Sequence, residues 1–593
     1  MMNPRILLVL LLAGLSGRLA PAQDFDFNGV RGVVRSPWPE RLGRGYAPVW
    51  VTVENEAERA VDVELRIGTS FRRSSAPEGA ASIALRLAPG ELRAVELLAP
   101  FHRQVGQSTA LSTRVGASSV WTAFNTGTFA AHSGDRVLAW VSPQPLPAGT
   151  IERIADQLGR DDPATGLSRG SPTHSSWASD PEWVAFELGP DSLPSRAAAW
   201  TSVDVVVLDA RRAPLTGLAL GALESHLHAG GLVVVLGDDS AVRALLGAGA
   251  EPEARFRGPA FGVDGELWRV GFGQLVRLPA AAGELERAAD RTALIGALNA
   301  IHGGGGAEGV LVPGSGASYG GHSLSSRNHL TDLPIGLFVL ALIAFTILVG
   351  PVNLFVLKRR GRPGLLVVTI PVISAVASLS ILGAGLWSQG LGLKGQLESA
   401  TWLDQRTGRA VTLAAHDLTP ALRSPELLPA RGTTVHSTAY LGSISREFTV
   451  EHGDGLRMTG GWLPVRTPAT LLVTSDAPAR ARLEVTRGPA GLEVTNALGV
   501  TVKELALRDS ESAVYSLPAG QALAPGATAR LEPALGKLLL SGLAERLRPA
   551  PLSYFAVVER NPFADMLGLK PELSFESHVV QGILPADAAQ AGK

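Results

Sequence analysis

Few residues in this chain have the types and spacing that bond-breaking chemistry needs. Glu224, His226 and His228 are close enough in sequence to invite a metal centre. Residues two apart on a helix point about 200° away from each other, however, so the two histidines cannot close on one ion. Gly166-Leu167-Ser168-Arg169-Gly170 has the spacing of a nucleophile elbow, a strained strand-to-helix turn that presents a serine. The preceding Asp161-Asp162-Pro163-Ala164-Thr165 reads as a polar loop and not a hydrophobic strand, so the pattern is expected to be inert. Gly390-Leu391-Gly392-Leu393-Lys394-Gly395 has dinucleotide-binding glycine spacing, but it follows an apolar helix where that motif follows a strand. It is expected to be an exit loop. Asp209, Asp238, Asp239 and Ser240 are better placed, after two Val-rich strands. Open α/β sheets bind ligands at such strand ends, and the same residue types also cap turns and helices. No catalytic residue, metal ligand or cofactor is expected.

The composition narrows the chemistry further. The chain has 593 residues and no cysteine, which removes disulfides, thiolate metal sites and cysteine nucleophiles. Its 53 Lys and Arg balance 54 Asp and Glu, leaving no basic footprint for nucleic acid. Only 6 of the basic residues are Lys; with abundant Ala, Gly and Leu, this composition points to a bacterial source. The length predicts several domains.

Those residues must be positioned by a multidomain fold. Residues 1–22 carry Arg5, an apolar run and Ala20-Pro21-Ala22, the pattern of a cleaved secretory signal. Residues 23–132 alternate with a period of two, as in Val49–Val53, Val61–Ile67 and Ala81–Leu87, which predicts an N-terminal β-sandwich. Residues 133–300 change character: Val137–Val141, Val205–Asp209 and Leu232–Leu236 are continuous apolar strands separated by helical stripes such as Leu220, Leu223 and Leu227. That pattern predicts an α/β domain with a parallel sheet covered on both faces. Trp268–Val276 should close it as a hairpin or a bent strand. Residues 301–332 are a Gly/Ser-rich linker, and residues 388–593 return to short strands, a C-terminal β-rich domain.

Between the linker and that domain lie two uncharged runs, 333–357 and 365–387, each long enough for a spanning helix. The loop 358–364 between them carries Lys358, Arg359, Arg360 and Arg362, and short basic loops stay in the cytoplasm. The expected topology is a two-pass hairpin in the bacterial cytoplasmic membrane with both large regions outside. Asn353, after Pro351, is expected to bond a freed carbonyl or the partner helix.

The strand, helix, Gly230-Gly231, strand order within residues 136–300 resembles the class I glutamine amidotransferase-like superfamily, whose sheet is flavodoxin-like. That resemblance implies a cysteine nucleophile, and the chain has none, so the domain is expected to be degenerate. The whole layout, with the Gly350-Pro351-Val352-Asn353-Leu354-Phe355 motif, resembles a group of uncharacterised bacterial membrane proteins. The expectation is a non-enzymatic envelope scaffold or ligand-binding protein whose partners are the lipid bilayer and other envelope proteins. The alternative is an envelope hydrolase that uses Asp209, His226, Asp238 or Ser240.

Overall fold

The computed structural model describes residues 23–278 apart from 37, 39–44, 71–78, 101–107, 126–135, 144–145, 148, 162–182, 190–191, 210–216, 238, 247–251, 253 and 257–264. It also describes 318–319, 322–323, and 335–585 apart from 390–391, 438–447, 453–455, 461, 464, 489–490, 512, 519, 534–551 and 564–565. The signal-like segment, the Gly166–Gly170 pattern, Asp238 and most of the Gly/Ser-rich linker lie outside the described residues.

Period-two alternation from Gln23 onward becomes a pair of facing sheets. One contains Gln23–Phe27, Val30–Arg35, Tyr46–Asn55 and Leu92–Pro100 in that order. The other contains Gly79–Leu87, Val61–Ser70, Ser108–Val115 and Ser118–Asn125. Their inward rows, including Val51, Val53, Leu65, Ile67 and Leu97, form one core cluster. The second sheet continues beyond these strands: Phe448–His452 pairs in parallel with Gly79–Leu87, and Leu456–Gly460 lies beyond it at the edge. The sandwich is therefore finished by chain that follows the two apolar helices.

The apolar strands of the middle region assemble a seven-stranded sheet. Arg136–Val141 lies between Trp183–Leu188 and Val205–Asp209; Leu232–Leu236 and Gly273–Leu278 follow, all parallel. In chain order the parallel strands stand second, first, third, fourth and fifth, the order of flavodoxin-like sheets. Gly265–Val270 folds back on Gly273–Leu278 as a hairpin, the first of the two forms expected there, turning at Gly271, whose φ of +63° suits glycine. Helices Thr150–Asp161, Gly217–His228 and Ser240–Leu246 cover the faces. The sheet is not sealed off from its neighbours. Trp38, from the sandwich, is buried in the same core cluster as Trp200, Val206 and Leu223, and its indole N–H donates to Ser202 Oγ at 2.6 Å.

Residues after 392 build a nine-stranded mixed sheet and a three-stranded one. The long hairpin Leu393–Asp404 and Arg409–Pro420 forms its centre, and the last strand among the described residues, Glu572–Ile583, pairs in parallel with Leu393–Asp404. Leu393 to Gly395, expected as loop, thus begin a strand.

The apolar runs are helical. Ile335–Ile347 and Asn353–Arg359 are joined through a π-helical segment, Leu348–Val352, that holds Pro351. A widened turn is the usual accommodation where proline removes a backbone donor. Gly361 N–H bonds the Lys358 carbonyl and Arg362 N–H that of Leu357, each at 3.0 Å. Gly361 has φ +69°, so the helix ends in a glycine cap with Lys358 and Arg359 in its last turn. A second helix follows, Leu366–Gln389. Asn353 Nδ2 donates to Thr369 Oγ1 at 2.9 Å, a bond to the next helix. Among the described residues, by length and composition one stretch, Leu342–Arg359, is long and apolar enough to cross a membrane; Leu366–Ser380 is a shorter apolar stretch.

Candidate functional site

The α/β sheet has two ends with different chemistry. At the C-terminal ends of its strands, Asp209 is 9% exposed and has polar partners. It stands where the strand order reverses between Arg136–Val141 and Val205–Asp209, the place where open sheets take ligands. In the next turn Asp239 accepts from Arg243 at 2.7 Å, one helical turn on. Its carbonyl receives the Arg243 N–H, so Asp239 opens the Ser240–Leu246 helix as an ordinary cap. Ser240 is the first residue of that helix and has a polar partner. Gly237, at φ +95°, gives its carbonyl to Arg277 Nε at 3.2 Å.

His226 is at the other end. The Gly217–His228 helix runs back across the sheet, so its last turn lies beside Asp204 and Leu232, where the strands begin. The imidazole packs on Trp200, ring centres 6.2 Å apart, and against Gly231. Burial lowers its pKa to about 4, and the Asp204 charge only partly opposes this. A strand's length therefore separates His226 from Asp209, Asp239 and Ser240, so among the described residues His226 does not converge with the strand-end groups. His228, two residues on, faces elsewhere, with Nδ1 at 2.7 Å from the Glu224 carbonyl oxygen, as helical geometry requires.

His226 instead lines a seam between the α/β unit and the C-terminal sheet. Ser225, His226 and Gly231 line one side of a cavity of about 50 Å³, and Thr434, His436 and Asp476 line the other. A water needs roughly 10–15 Å³ of such space, so the seam has room for a few waters and for no sizeable substrate. Arg409 lies across it, donating to both Asp476 oxygens at 2.7 and 2.5 Å and ion-pairing with Glu224 of the helix. Burial alone raises the Asp476 pKa, but the bonds from Arg409 and Ser225 outweigh it and hold the carboxyl below its usual range. Tyr46 of the sandwich adds a bond to the Val435 carbonyl at 2.5 Å.

A second constellation appears inside the C-terminal sheet. Ser399 Oγ is 2.8 Å from His578 Nδ1, and His578 Nε2 is 3.1 Å from Glu576 Oε2. Serine, histidine and carboxylate in series is the arrangement of a hydrolytic triad. Ser399 and His578 are register partners on paired strands, however, and are 8% and 1% exposed. Asn561 Nδ2 also donates to Ser399 Oγ at 2.5 Å and to Thr401 at 3.2 Å. Ser399, His578 and Asn561 form a satisfied, buried polar network, with the exposed Glu576 at its outer end. Nothing in the sequence marked it, since its members lie up to 179 positions apart.

No family model matches the chain, and no curated protein does. Among solved structures, a Paenibacillus sp. cycloisomaltooligosaccharide glucanotransferase complexed with cycloisomaltoheptaose is 13% identical across 34% of this chain and 27% of its own, with a TM-score of 0.15. A calcium binding mutant of Bacteroides uniformis beta-glucuronidase 2 is 12% identical across 36% of this chain and 29% of its own, TM-score 0.14. Escherichia coli alpha-2-macroglobulin activated by porcine elastase is 11% identical across 82% of this chain and 50% of its own, TM-score 0.13. The chain spans under a third of the first two structures. Likeness at this level identifies neither fold nor chemistry, and these comparisons lend no support to the amidotransferase-like expectation.

Proposed function

We propose that this chain is a non-enzymatic scaffold of the bacterial cell envelope, anchored in the cytoplasmic membrane by two helices, with the regions before and after them held outside as one binding body. The observation that carries this reading is the parallel pairing of Phe448–His452 with Gly79–Leu87. Strands in one sheet must share a compartment. A single crossing between residues 332 and 392 would part them, while two crossings, or none, keep them together. The outward apolar side chains argue against none: Ile343 is 51% exposed on the first helix and Val376 59% on the second, a surface that water disfavours. The basic loop Lys358–Arg362 gives the orientation, and the signal-like residues 1–22 agree with it. The α/β unit, amidotransferase-like by strand order alone and without a cysteine, serves as a docking module, and Asp209 at its strand-order reversal is where a small ligand would sit. Other envelope proteins are the partners.

The chain has no cysteine, so single cysteines report topology cleanly. Leu218→Cys and Thr407→Cys, one in each flanking region, should react with an impermeant maleimide on intact spheroplasts. Arg360→Cys should react only after lysis. Modification of Arg360→Cys from outside, or protection of either flanking position, would sink the topology.

One observation favours a hydrolytic second reading, the Ser399–His578–Glu576 series. It stands second because Ser399 is closed to solvent.

A further inference from the structure

We infer that one end of the nine-stranded sheet is a membrane-resting tip, whose partner is the phospholipid headgroup layer of the leaflet into which the Leu366–Gln389 helix exits. This rests on the proposal that the helix spans the bilayer. Twenty-four residues of helix are roughly 36 Å long at 1.5 Å per residue, slightly more than the roughly 30 Å hydrocarbon core. Only residues 390–392 separate Gln389 from Leu393, where the sheet begins. Fully extended, that chain reaches about 14 Å. The Leu393 end of the sheet is thereby held at the membrane surface.

The residues at that end fit the surface. Leu393 pairs with Pro420, Ala421 N–H bonds the Gly392 carbonyl, and Arg466 N–H bonds the Pro420 carbonyl at 2.7 Å. Two turns are thus fixed beside the point where the chain leaves the helix, and each carries an apolar residue followed by an arginine. They are Leu422-Arg423 and Val465-Arg466, with Leu422 55% and Val465 41% exposed and both arginines exposed. Arg466 takes a left-handed φ of +57°, uncommon for a side-chain-bearing residue. An exposed apolar side chain beside a guanidinium suits the headgroup layer, where the first inserts and the second meets phosphate. The far end of the same hairpin, at Arg406 and Thr407, has polar, exposed residues and stands a strand's length away.

The test uses the full chain reconstituted in vesicles of phosphatidylcholine and phosphatidylglycerol. Single cysteines at Leu422→Cys, Val465→Cys, Thr407→Cys and Val376→Cys carry an environment-sensitive fluorophore, and nitroxide lipids quench at headgroup or acyl-chain depth. Headgroup nitroxide should quench the labels at 422 and 465 several-fold more than the label at 407, and acyl-chain nitroxide should quench the label at 376. If 376 is quenched while 422 and 465 behave like 407, the tip inference fails and the spanning reading survives. If 376 escapes acyl-chain quenching, both fall.

Discussion

Arg409 holds Asp476 in a two-pronged ion pair and reaches past it to Glu224. Asp476 and Arg409 belong to the C-terminal sheet, and Glu224 to a helix of the α/β unit. The planar guanidinium can satisfy both carboxylates at once, which a lysine ammonium matches poorly.

Replacing it leaves two carboxylates facing each other across the seam. Arg409→Met should cost about 2–3 kcal/mol, somewhat below a fully buried pair because the arginine is partly exposed. Arg409→Lys should recover only part of that loss. Denaturant midpoints in detergent measure it, and a loss under about 0.5 kcal/mol, the range of an ordinary surface change, would contradict the bridging role.

Acid should weaken the fold well before its carboxylates titrate. Burial holds His226 and His416 at pKa values of about 4, and burial with the neighbouring Arg196 does the same for His452. Their ordinary value is 6.5, so between about pH 6.5 and 4 the unfolded chain binds protons that the folded chain refuses. Stability then falls as pH falls, by up to about 1.4 kcal/mol per pH unit for each histidine. Asp476, with its lowered pKa, adds a loss only below its ordinary 3.8. Melting temperature measured from pH 7 to 4.5 should decline steadily, and His452→Gln should flatten the slope. A flat profile across that window would show that these rings are charged or solvated in the fold.

Gly231 has no room for a side chain. A Cβ there would overlap the His226 ring, which Trp200 flanks. Gly231→Ala should cost about 1–3 kcal/mol, as overpacking does. Adding His226→Ala should return part of the loss, since it removes the obstructing ring. Equal stability of Gly231→Ala and the parent protein would refute the packing described for His226.

Ser399→Ala separates the two functional readings. Loss of the hydroxyl removes one of the two Asn561 amide bonds and the partner of His578 Nδ1, so stability should drop by about 1–3 kcal/mol. The parent protein should release no nitrophenolate from a panel of nitrophenyl esters above buffer. Release by the parent that vanishes in Ser399→Ala would establish the hydrolytic reading instead.

Local order was readable from the chain because local forces set it. Val205–Asp209 and Leu232–Leu236 occupy the positions their valine runs indicate, and Leu223 and Leu227 are buried on the helix stripe expected of them. Asp239 is a cap by the same local rule. What periodicity does not carry is partnership across long loops. His226 lies on the helix foreseen for it, yet the length of that helix carries it away from Asp209. Asn561 and His578 sit in a region whose sequence shows only short strands, and their partner Ser399 lies more than 150 positions earlier. The strand that joins the later chain to the sandwich is short, and nothing in Phe448–His452 names Gly79–Leu87 as its mate.

That late pairing imposes an order on biosynthesis. A ribosome makes residues 23–125 first, but the Gly79–Leu87 strand keeps an open edge until Phe448–His452 emerges, after both apolar helices. For more than 300 residues of synthesis the newborn sandwich presents unpaired backbone groups of the kind that recruit stray strands. The growing chain needs an escort or a fast competing contact during that interval. A fragment ending before the helices, convenient for expression, would keep the unfinished edge permanently.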